Sequence, residues 1–290
     1  MAAEHAFGNE ATLGDDELPA YAPMLQAFHR ACAVSLVAII DSLPLNEGMA
    51  VLDLGSGDGF YSALLAQRVG TSGKVIAADS SPAYLNLAQN ALGATKFAER
   101  VSFEQVDIRQ LPWPDDHFDL VWCAHSLYSL PEPQAAIAEL TRVTKPGGWV
   151  AILENDTMHH HVFPWPPEIE LAIRNSQLAD IADEPIKLQK YELGRNLLGY
   201  FTDAGLSDCA MRSYTIDHQY PLSVDEQTFM HHYLVDLLQH VDSQLEPTML
   251  SEVETLINPK NPDSMFNQPS FYSNHLELLA LGRKPASMLE

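Results

Sequence analysis

VLDLGSGDGF, the stretch from Val51 to Phe60, is the part of the chain that decides the fold. Its first four residues form a short apolar run around Asp53, which is typical of a fully buried strand. Glycines then stand at 55, 57 and 59, although glycine loses more backbone entropy on folding than any other residue. The stretch therefore predicts a buried strand that leads into a turn where the backbone approaches a ligand closely.

Strand-like and helix-like patterns alternate around this turn. Apolar residues at helical spacing predict one helix from about Leu25 to Asp41. Such alternation predicts a mostly parallel sheet with helices on both faces, and ligands bind at the carboxyl ends of such strands. The further predicted helices are at 61–69, from the Ser81-Pro82 pair onward, and at 134–143, and the predicted strands are at 51–54, 74–79, 101–107, 118–124 and 149–154.

The second half of the chain adds helical segments and two more strands to one compact domain. Strand-like patterns cover 209–220 and 275–283, and a helical pattern covers 223–258. The expected division is an N-terminal tail and cap helix at 1–46, a binding core at 47–155, a lid segment and helix at 156–208, and the last two strands at 209–290 with a helical insertion at 222–268.

Composition limits the possible ligands and the location. The formal net charge of −23 repels phosphate backbones and anionic membranes, so neither nucleic acid nor a membrane is an expected partner. The three cysteines, at 32, 123 and 209, form no CxxC pair. The N-terminal residues lack the pattern of a secretory signal, and the apolar stretch Ala31–Ile40 is too short to span a bilayer. A cytoplasmic protein is expected.

Acidic residues at two further strand ends suggest the kind of ligand. Asp79 ends the second predicted strand, about 20 residues after the glycines, where an acid can bind both ribose hydroxyls. Asp107 ends the third, where it could accept a hydrogen bond from an adenine amine. Phe60 occupies the place of the third glycine of a pyrophosphate-binding fingerprint. The pattern indicates an adenosine ligand that lacks a pyrophosphate.

Four segments together resemble the successive motifs of class I S-adenosylmethionine-dependent methyltransferases, in particular the small-molecule group that includes the ubiquinone and menaquinone methyltransferases. They are VLDLGSGDG, AADSSPAYL, VDIRQLPWPDDHFDLVWCAHSLYSLPEP and ELTRVTKPGGWVAILE, and they cover about residues 48–155. The resemblance implies an α/β fold with a Rossmann-like, seven-stranded, mostly parallel sheet whose last strand is antiparallel, with helical lid insertions. It also implies that S-adenosylmethionine is the cofactor and that a small, partly apolar molecule is the methyl acceptor.

The resemblance also implies roles for residues at the strand ends. Asp53 would fix the loop, and Asp79 would hold the ribose. Asp107 and Ile108 would contact the adenine amine and ring. The remaining cofactor residues would be Gly55, Ser56 and Gly57 under the methionine part, Ser80 near the adenine, and Cys123 and Ala124 beside the sulfonium.

Histidines are the candidate bases, because a hydroxyl or acidic carbon must lose a proton and histidine titrates near neutral pH. His125 follows the fourth strand, and His159, His160 and His161 follow the fifth. We treat His125, His159 and His161 as the catalytic candidates. An acceptor pocket is expected from Tyr128, Phe163, Trp165 and His232.

No metal site is expected from these motifs. His159 and His161 would share one face of an extended segment, but the sequence offers no third ligand beside them. The acids at 154–156 resemble those of magnesium-dependent catechol methyltransferases, but Cys123 stands where the matching acid after the fourth strand would be.

The sequence bears on three alternatives to methyl transfer onto a small molecule. A nicotinamide-dependent reductase is disfavoured by Phe60 and by the absence of a Tyr-x-x-x-Lys pair. A nucleic-acid methyltransferase would carry an Asn- or Asp-Pro-Pro-aromatic run where this chain reads CAHSLYSLP. A protein of the same fold with non-methyl-transfer chemistry, such as a cyclase, or with a partner-binding role stays open. So do a homodimer and the choice among O, N and C as the methylated atom.

Overall fold

A computed structural model describes residues 14, 17–156, 161–183, 188–241 and 245–286. It contains a single mixed sheet with helices on both sides, as the alternation predicted. The strands are β1 (Ala50–Leu54), β2 (Lys74–Asp79), β3 (Val101–Gln105), β4 (Phe118–Ala124), β5 (Thr144–Glu154), β6 (His161–Val162), β7 (Ser207–Gln219) and β8 (Tyr272–Arg283). The helices are α1 (Ala22–Ala31), α2 (Ala33–Asp41), α3 (Phe60–Arg68), α4 (Pro82–Gly93), α5 (Pro133–Val143), α6 (Pro167–Asp183), α7 (Leu188–Asp203), α8 (Val224–Val241) and α9 (Pro247–Ile257).

The strand order places the glycine turn at the point where the order of the parallel strands reverses. The order is β3-β2-β1-β4-β5-β8-β6, and β7 pairs with β8. Strand β1 runs parallel to β2 on one side and to β4 on the other, so the loops after β1 and β4 leave toward opposite sides. The crevice between such loops is where open α/β sheets bind ligands. The fold therefore puts VLDLGSGDGF at the expected binding edge.

Strand β8 is antiparallel to β5, β6 and β7, which confirms the predicted antiparallel last strand. The sheet has one strand more than predicted, because the two residues of β6 pair with β8 beyond the end of β5. Strand β5 begins at Thr144, earlier than predicted, because Thr144 already pairs with Phe118 of β4, and a register shift follows before Trp149 pairs with Leu120. The division of the chain into segments stays a prediction.

The predicted long helix at 25–41 is wrong in one respect, because the structure breaks it at Cys32 into α1 and α2, which meet at 74°. Packing explains the break, since α1 lies against α8 whereas α2 lies against α3 and β7. Within the described ranges no single helix has the length and apolar character of a membrane span, and α1 with α2 passes that test only as a bent pair, by length and composition.

The sheet separates two hydrophobic clusters. One lies on the side of α1, α2, α3 and α8 and includes Leu36, Ile39 and Trp122. The other lies on the side of α5 and α7 and includes Leu140 and Phe201. Burying a large apolar side chain stabilises a fold by about 1.5–3 kcal/mol. These clusters therefore hold the strand ends rigidly.

Gly59 tests how tightly the turn is built. Its φ is +81°, and a Cβ there would lie 2.9 Å from Ala88 Cβ. We expect Gly59→Ala to lower the free energy of unfolding by about 1–3 kcal/mol, because backbone strain and the clash with α4 add. Gly199→Ala is the matched control, since nothing lies within 4 Å of a Cβ there and alanine favours its helix. Urea unfolding measures both, and equal effects would contradict the assignment.

Candidate functional site

The loop after β1 is held against the end of β2. Gly55 N and Ser56 N both donate to Ala78 O, at 2.8 and 3.0 Å. Gly55 has φ +69° and Gly57 has φ +51°, so both use the left-handed region that glycine tolerates. A Cβ on Gly55 would lie 2.1 Å from the hydroxyl of Ser126, so only glycine fits beside the loop after β4.

Asp79 fixes this loop through backbone groups on both sides. Its Oδ2 accepts from Gly57 N at 2.9 Å, and its Oδ1 accepts from Ser81 N at 2.9 Å. A carboxylate has about four acceptor positions, so Asp79 can accept from several donors at once. The residue expected to hold a ribose thus also ties the glycine loop to the start of α4.

Asp53 lies beneath the loop and is 1% exposed. Its Oδ2 accepts from Ser62 Oγ in α3 at 2.5 Å. Burial raises the pKa of Asp53 to about 7, and the hydrogen bond from Ser62 acts in the opposite direction. Asp53 therefore anchors the helix that follows the loop, which is one way of fixing the loop itself.

The other predicted cofactor residues follow at the same edge of the sheet. Asp107 lies just beyond β3, which is shorter than predicted, and its exposed carboxylate pairs with Arg109, which lowers the pKa of that carboxyl. The backbone oxygen of exposed Ser80 accepts from Gln105. Cys123 and Ala124 end β4 and are buried, whereas Ile108 is partly buried.

One buried polar atom in the loop lacks a protein partner. Ser56 is 5% exposed, and its Oγ makes no hydrogen bond to the part of the chain that the structure describes. An unsatisfied buried hydroxyl costs free energy unless a ligand or water pairs with it. The unpartnered Ser56 hydroxyl fits a polar ligand that lies against the loop.

Helix α1 covers the loop from the other side. The rings of His29 and Phe60 stack at 4.5 Å, and His29 Nδ1 lies 3.0 Å from Asp58 Oδ1. Leu25 Cδ2 lies 3.5 Å from the position a Cβ on Gly57 would take. The cap helix is therefore part of the site.

His125, which is half-buried, pairs with a buried carboxylate that no sequence motif pointed to. It follows β4 with φ +48°, and its backbone N donates to Leu153 O. Its ring Nε2 lies 2.8 Å from Oε2 of Glu277, a residue of β8 that is 2% exposed. The signal for this partner was a lone acid in the apolar run HLELLALGR, although nothing local says which face it occupies.

Opposing effects set the charge of His125. Burial favours the neutral ring, but the charge and hydrogen bond of Glu277 outweigh it and raise the pKa of His125 to about 9. Glu154 lies close by, and its Oε1 accepts from the backbone N–H groups of Ser126 and Leu127. Burial raises the pKa of Glu154 to about 7. The loop after β4 is thus tied to two buried carboxylates.

An aromatic cluster extends from His125 toward α8. Phe28 packs edge-on against His125 at 5.6 Å and against Phe229 at 5.2 Å. The sequence analysis missed Phe28, Phe229 and Tyr233. The cluster consists of Phe28, Phe229, His161, Phe163 and Tyr233.

The structure brings some of the remaining predicted residues to this cluster. His161 lies in β6, opposite His275, and stacks on Phe163 at 5.2 Å. Trp165 packs beside Phe163, and its Nε1 donates to Glu170. His159 falls outside the described residues, so its role stays a prediction.

Two predicted pocket residues lie elsewhere. Tyr128 packs against the hydrophobic cluster on the α5 side of the sheet. His232 is exposed on α8, with its ring against His231. Phe28 of the aromatic cluster, rather than either of these two side chains, packs against His125.

Comparison with known proteins gives one family match. A family model described as "Methyltransferase domain" matches residues 45–195, slightly more than half of the chain. The matched segment contains the glycine loop, Asp79, Asp107 and His125, and it ends within α7.

Curated relatives match the same region. The ubiquinone/menaquinone biosynthesis C-methyltransferase UbiE of Shewanella pealeana is 35% identical over 123 residues, which are 42% of this chain and 49% of that protein. Its counterpart in Shewanella frigidimarina is 36% identical over the same length. The chain thus spans about half the length of the curated relatives it matches.

Solved structures share the fold across most of the chain. A Bacillus halodurans protein described as a methyltransferase has a TM-score of 0.53 at 18% identity and covers 87% of this chain and 100% of its own. The YcgJ protein of Bacillus subtilis has a TM-score of 0.52 at 17% identity and covers 88% and 100%. At these identities the likeness shows the fold alone.

The His125–Glu277 pair makes a prediction that needs no substrate. In Glu277→Gln the pKa of His125 should fall from about 9 toward or below the ordinary imidazole value of about 6.5, because burial then acts with less opposition. An NMR titration of carbon-13-labelled histidine measures this. Glu226→Gln, which changes a carboxylate paired with His218, is the matched control. An unchanged His125 titration in Glu277→Gln would contradict the pairing.

Proposed function

We propose, since the chain belongs to the methyltransferase domain family, that it transfers the methyl group of S-adenosylmethionine to a small, partly apolar molecule. One observation carries the proposal. The ends of β1, β2 and β3 bring a glycine loop and two carboxylates to one edge, and the loop after β4 carries His125, which pairs with the buried Glu277 of β8. The first group fits an adenosine ligand, and the second fits an acceptor that must lose a proton.

S-Adenosylmethionine would supply a methyl group already activated on a sulfonium. The residues that would hold it are the loop at 55–57, with the unpartnered Ser56 hydroxyl, and the acids Asp79 and Asp107. Asp79 would serve twice, because the same carboxylate orders the loop and offers acceptor positions to a ribose. Much of the rate enhancement in such a reaction comes from orienting the acceptor.

His125 is the proposed general base. With its Nε2–H donating to Glu277, the neutral ring keeps Nδ1 as an acceptor for a proton from an O–H, N–H or acidic C–H group. Glu277 stabilises the imidazolium that forms. The positive charge of the sulfonium, bound at the same end of the sheet, would oppose the effect of Glu277 on the pKa of His125 and favour the neutral ring before reaction. The neutral ring could then accept a proton from the methyl acceptor.

The aromatic cluster supports the proposed acceptor class. Aromatic rings offer large apolar surfaces and few hydrogen-bonding groups, so they favour a ligand that is itself partly apolar. The curated relatives are named as C-methyltransferases of ubiquinone/menaquinone biosynthesis. We therefore place hydroxylated aromatic rings first among the acceptors to test, ahead of amines and aliphatic alcohols. The formal charge of −23 disfavours nucleic acid.

Cofactor binding is the first test of this function. Calorimetric titration should give binding of S-adenosylmethionine to the wild type and none of NADH. Asp79→Ala should weaken that binding at least about tenfold, because it loses both a ligand contact and the two loop bonds, and ten-fold is about 1.4 kcal/mol. Asp217→Ala, an exposed acid of β7, is the matched control. Folded wild-type protein that binds no S-adenosylmethionine would refute the proposal.

The pH profile tests the base. For an acceptor that is turned over to S-adenosylhomocysteine, kcat/KM should rise with pH through the pKa of His125, which is about 9 without ligand. Glu277→Gln should move this rise to lower pH and reduce its maximum, since the neutral ring is then easier to form but a less effective base. His125→Asn should abolish the rise. A profile that is identical in all three proteins would exclude His125 as the base.

A further inference from the structure

Three side chains that no motif connects meet beneath the aromatic cluster. We call Cys32, His218 and His275 the Cys–His–His cluster. One sulfur or nitrogen atom from each lies within 4.8 Å of the others. Cys32 Sγ lies 3.9 Å from His275 Nε2, and His218 Nε2 lies 3.3 Å from His275 Nδ1.

Topology brings these residues together. Strands β7 and β8 pair so that His218 lies opposite Ser273 and Ile216 lies opposite His275. Because side chains alternate across a strand, Ser273 and His275 share one face of β8, and His218 shares it from β7. Cys32, at the break between α1 and α2, meets that face.

The cluster is fully withdrawn from water. Cys32 and His218 are 1% exposed and His275 is 2% exposed. Phe28 and Phe229 pack against the ring of His275, at 5.7 and 5.8 Å. Polar groups buried in such surroundings are costly unless they are hydrogen-bonded, paired or bound to a metal. A thiol and two imidazoles are also the ligands that zinc prefers.

His218 is oriented as metal-binding histidines are. Its Nδ1 lies 2.9 Å from Glu226 Oε1, and the other oxygen of Glu226 accepts from Ser223 N at 2.7 Å. A carboxylate on one ring nitrogen fixes the tautomer and presents the lone pair of the other nitrogen. The Nε2 of His218 therefore faces the cluster as an acceptor or a ligand.

A second polar atom on the same face points to a missing ligand. Ser273 is 0% exposed, and its Oγ makes no hydrogen bond within the described ranges. It stands opposite His218 and two residues from His275. A buried hydroxyl without a partner beside two imidazoles is accounted for if an ion or an ion-bound water lies there.

We propose that Cys32, His218 and His275 bind a divalent cation of the zinc type, with an ion-bound water beside the Ser273 hydroxyl in the fourth position. Tetrahedral zinc, with bonds of about 2.0–2.1 Å to nitrogen and about 2.3 Å to sulfur, separates its nitrogens by about 3.3 Å and nitrogen from sulfur by about 3.6 Å. The two separations in the cluster are close to these values. His275 faces its neighbours with different nitrogens, so its ring must turn to bring one of them to the ion. On binding, the Cys32 thiol gives up its proton to solvent as the S–metal bond forms.

Such an ion would join α1 to the last two strands. Cys32 follows the helix that places His29 over the glycine loop and Phe28 against His125. Metal binding would therefore stabilise the cap helix in its place over both halves of the site. This role differs from the proposed reaction and does not depend on it.

Metal content and cobalt spectroscopy test the site without any substrate. Wild-type protein produced in zinc-supplemented medium should carry about one equivalent of zinc per chain. Protein unfolded with chelator and refolded with Co²⁺ should show a thiolate-to-cobalt charge-transfer band and tetrahedral cobalt absorption. Cys32→Ser should lose the charge-transfer band, and Glu226→Gln should weaken metal binding about 10–100-fold. Cys209→Ser, which changes the partly exposed free cysteine of β7, should behave as wild type.

The wild type alone decides the matter if the variants fold poorly. Folded wild-type protein that contains no stoichiometric zinc and shows no cobalt band would overturn the proposal, and the cluster would then be a hydrogen-bonded network. A band that persists in Cys32→Ser but is lost in Cys209→Ser would also overturn it. Binding of S-adenosylmethionine, measured on the same samples, reports separately on the proposed function.

Discussion

The bridge made by the Asp79 carboxylate is the constraint on which the binding edge depends. One oxygen holds the backbone of Gly57 and the other holds the backbone of Ser81, so the loop after β1 and the helix after β2 share one anchor. The left-handed glycines can then approach a ligand because their backbone is fixed, not because it is loose. A second carboxylate, that of Asp53, likewise joins β1 to α3 by accepting a hydrogen bond from Ser62.

Strand β8 supplies the buried polar side chains on the other side of the crevice. Ser273, His275 and Glu277 alternate along one face of it, and each is buried. A strand between β5 and β7, covered by α1 and α8, would ordinarily be apolar on that face. Two members of this polar row have partners, since Glu277 pairs with His125 and His275 pairs with His218. The proposed cofactor edge and the partner of the proposed base are therefore built by different parts of the chain.

Local patterns predicted the parts of the site that are made by neighbours in sequence. The strands, the Ser81 cap of α4 and the glycine turn follow from residues within a few positions of one another. Glu277 and Phe28 could not be assigned, because their contacts with His125 join residues that are 152 positions apart for Glu277 and about a third of the chain apart for Phe28. The break at Cys32 was missed for the same reason, since the apolar spacing continues through it and only packing against α8 and β7 separates the two helices.

The pairing of β8 between β5 and β7 has a consequence for the order in which the protein is made. The segment that matches the methyltransferase domain ends within α7, before the last strand has left the ribosome. Until β8 is available, β5 has an open edge, His125 has no carboxylate partner, and α1 has no His275 to pack against. Contacts between the first helix and the last strand are among the most expensive to close in loop entropy. A ribosome-bound chain can thus form the loop and strand ends around Asp79 early, whereas His125 gains its carboxylate partner only after β8 has been made.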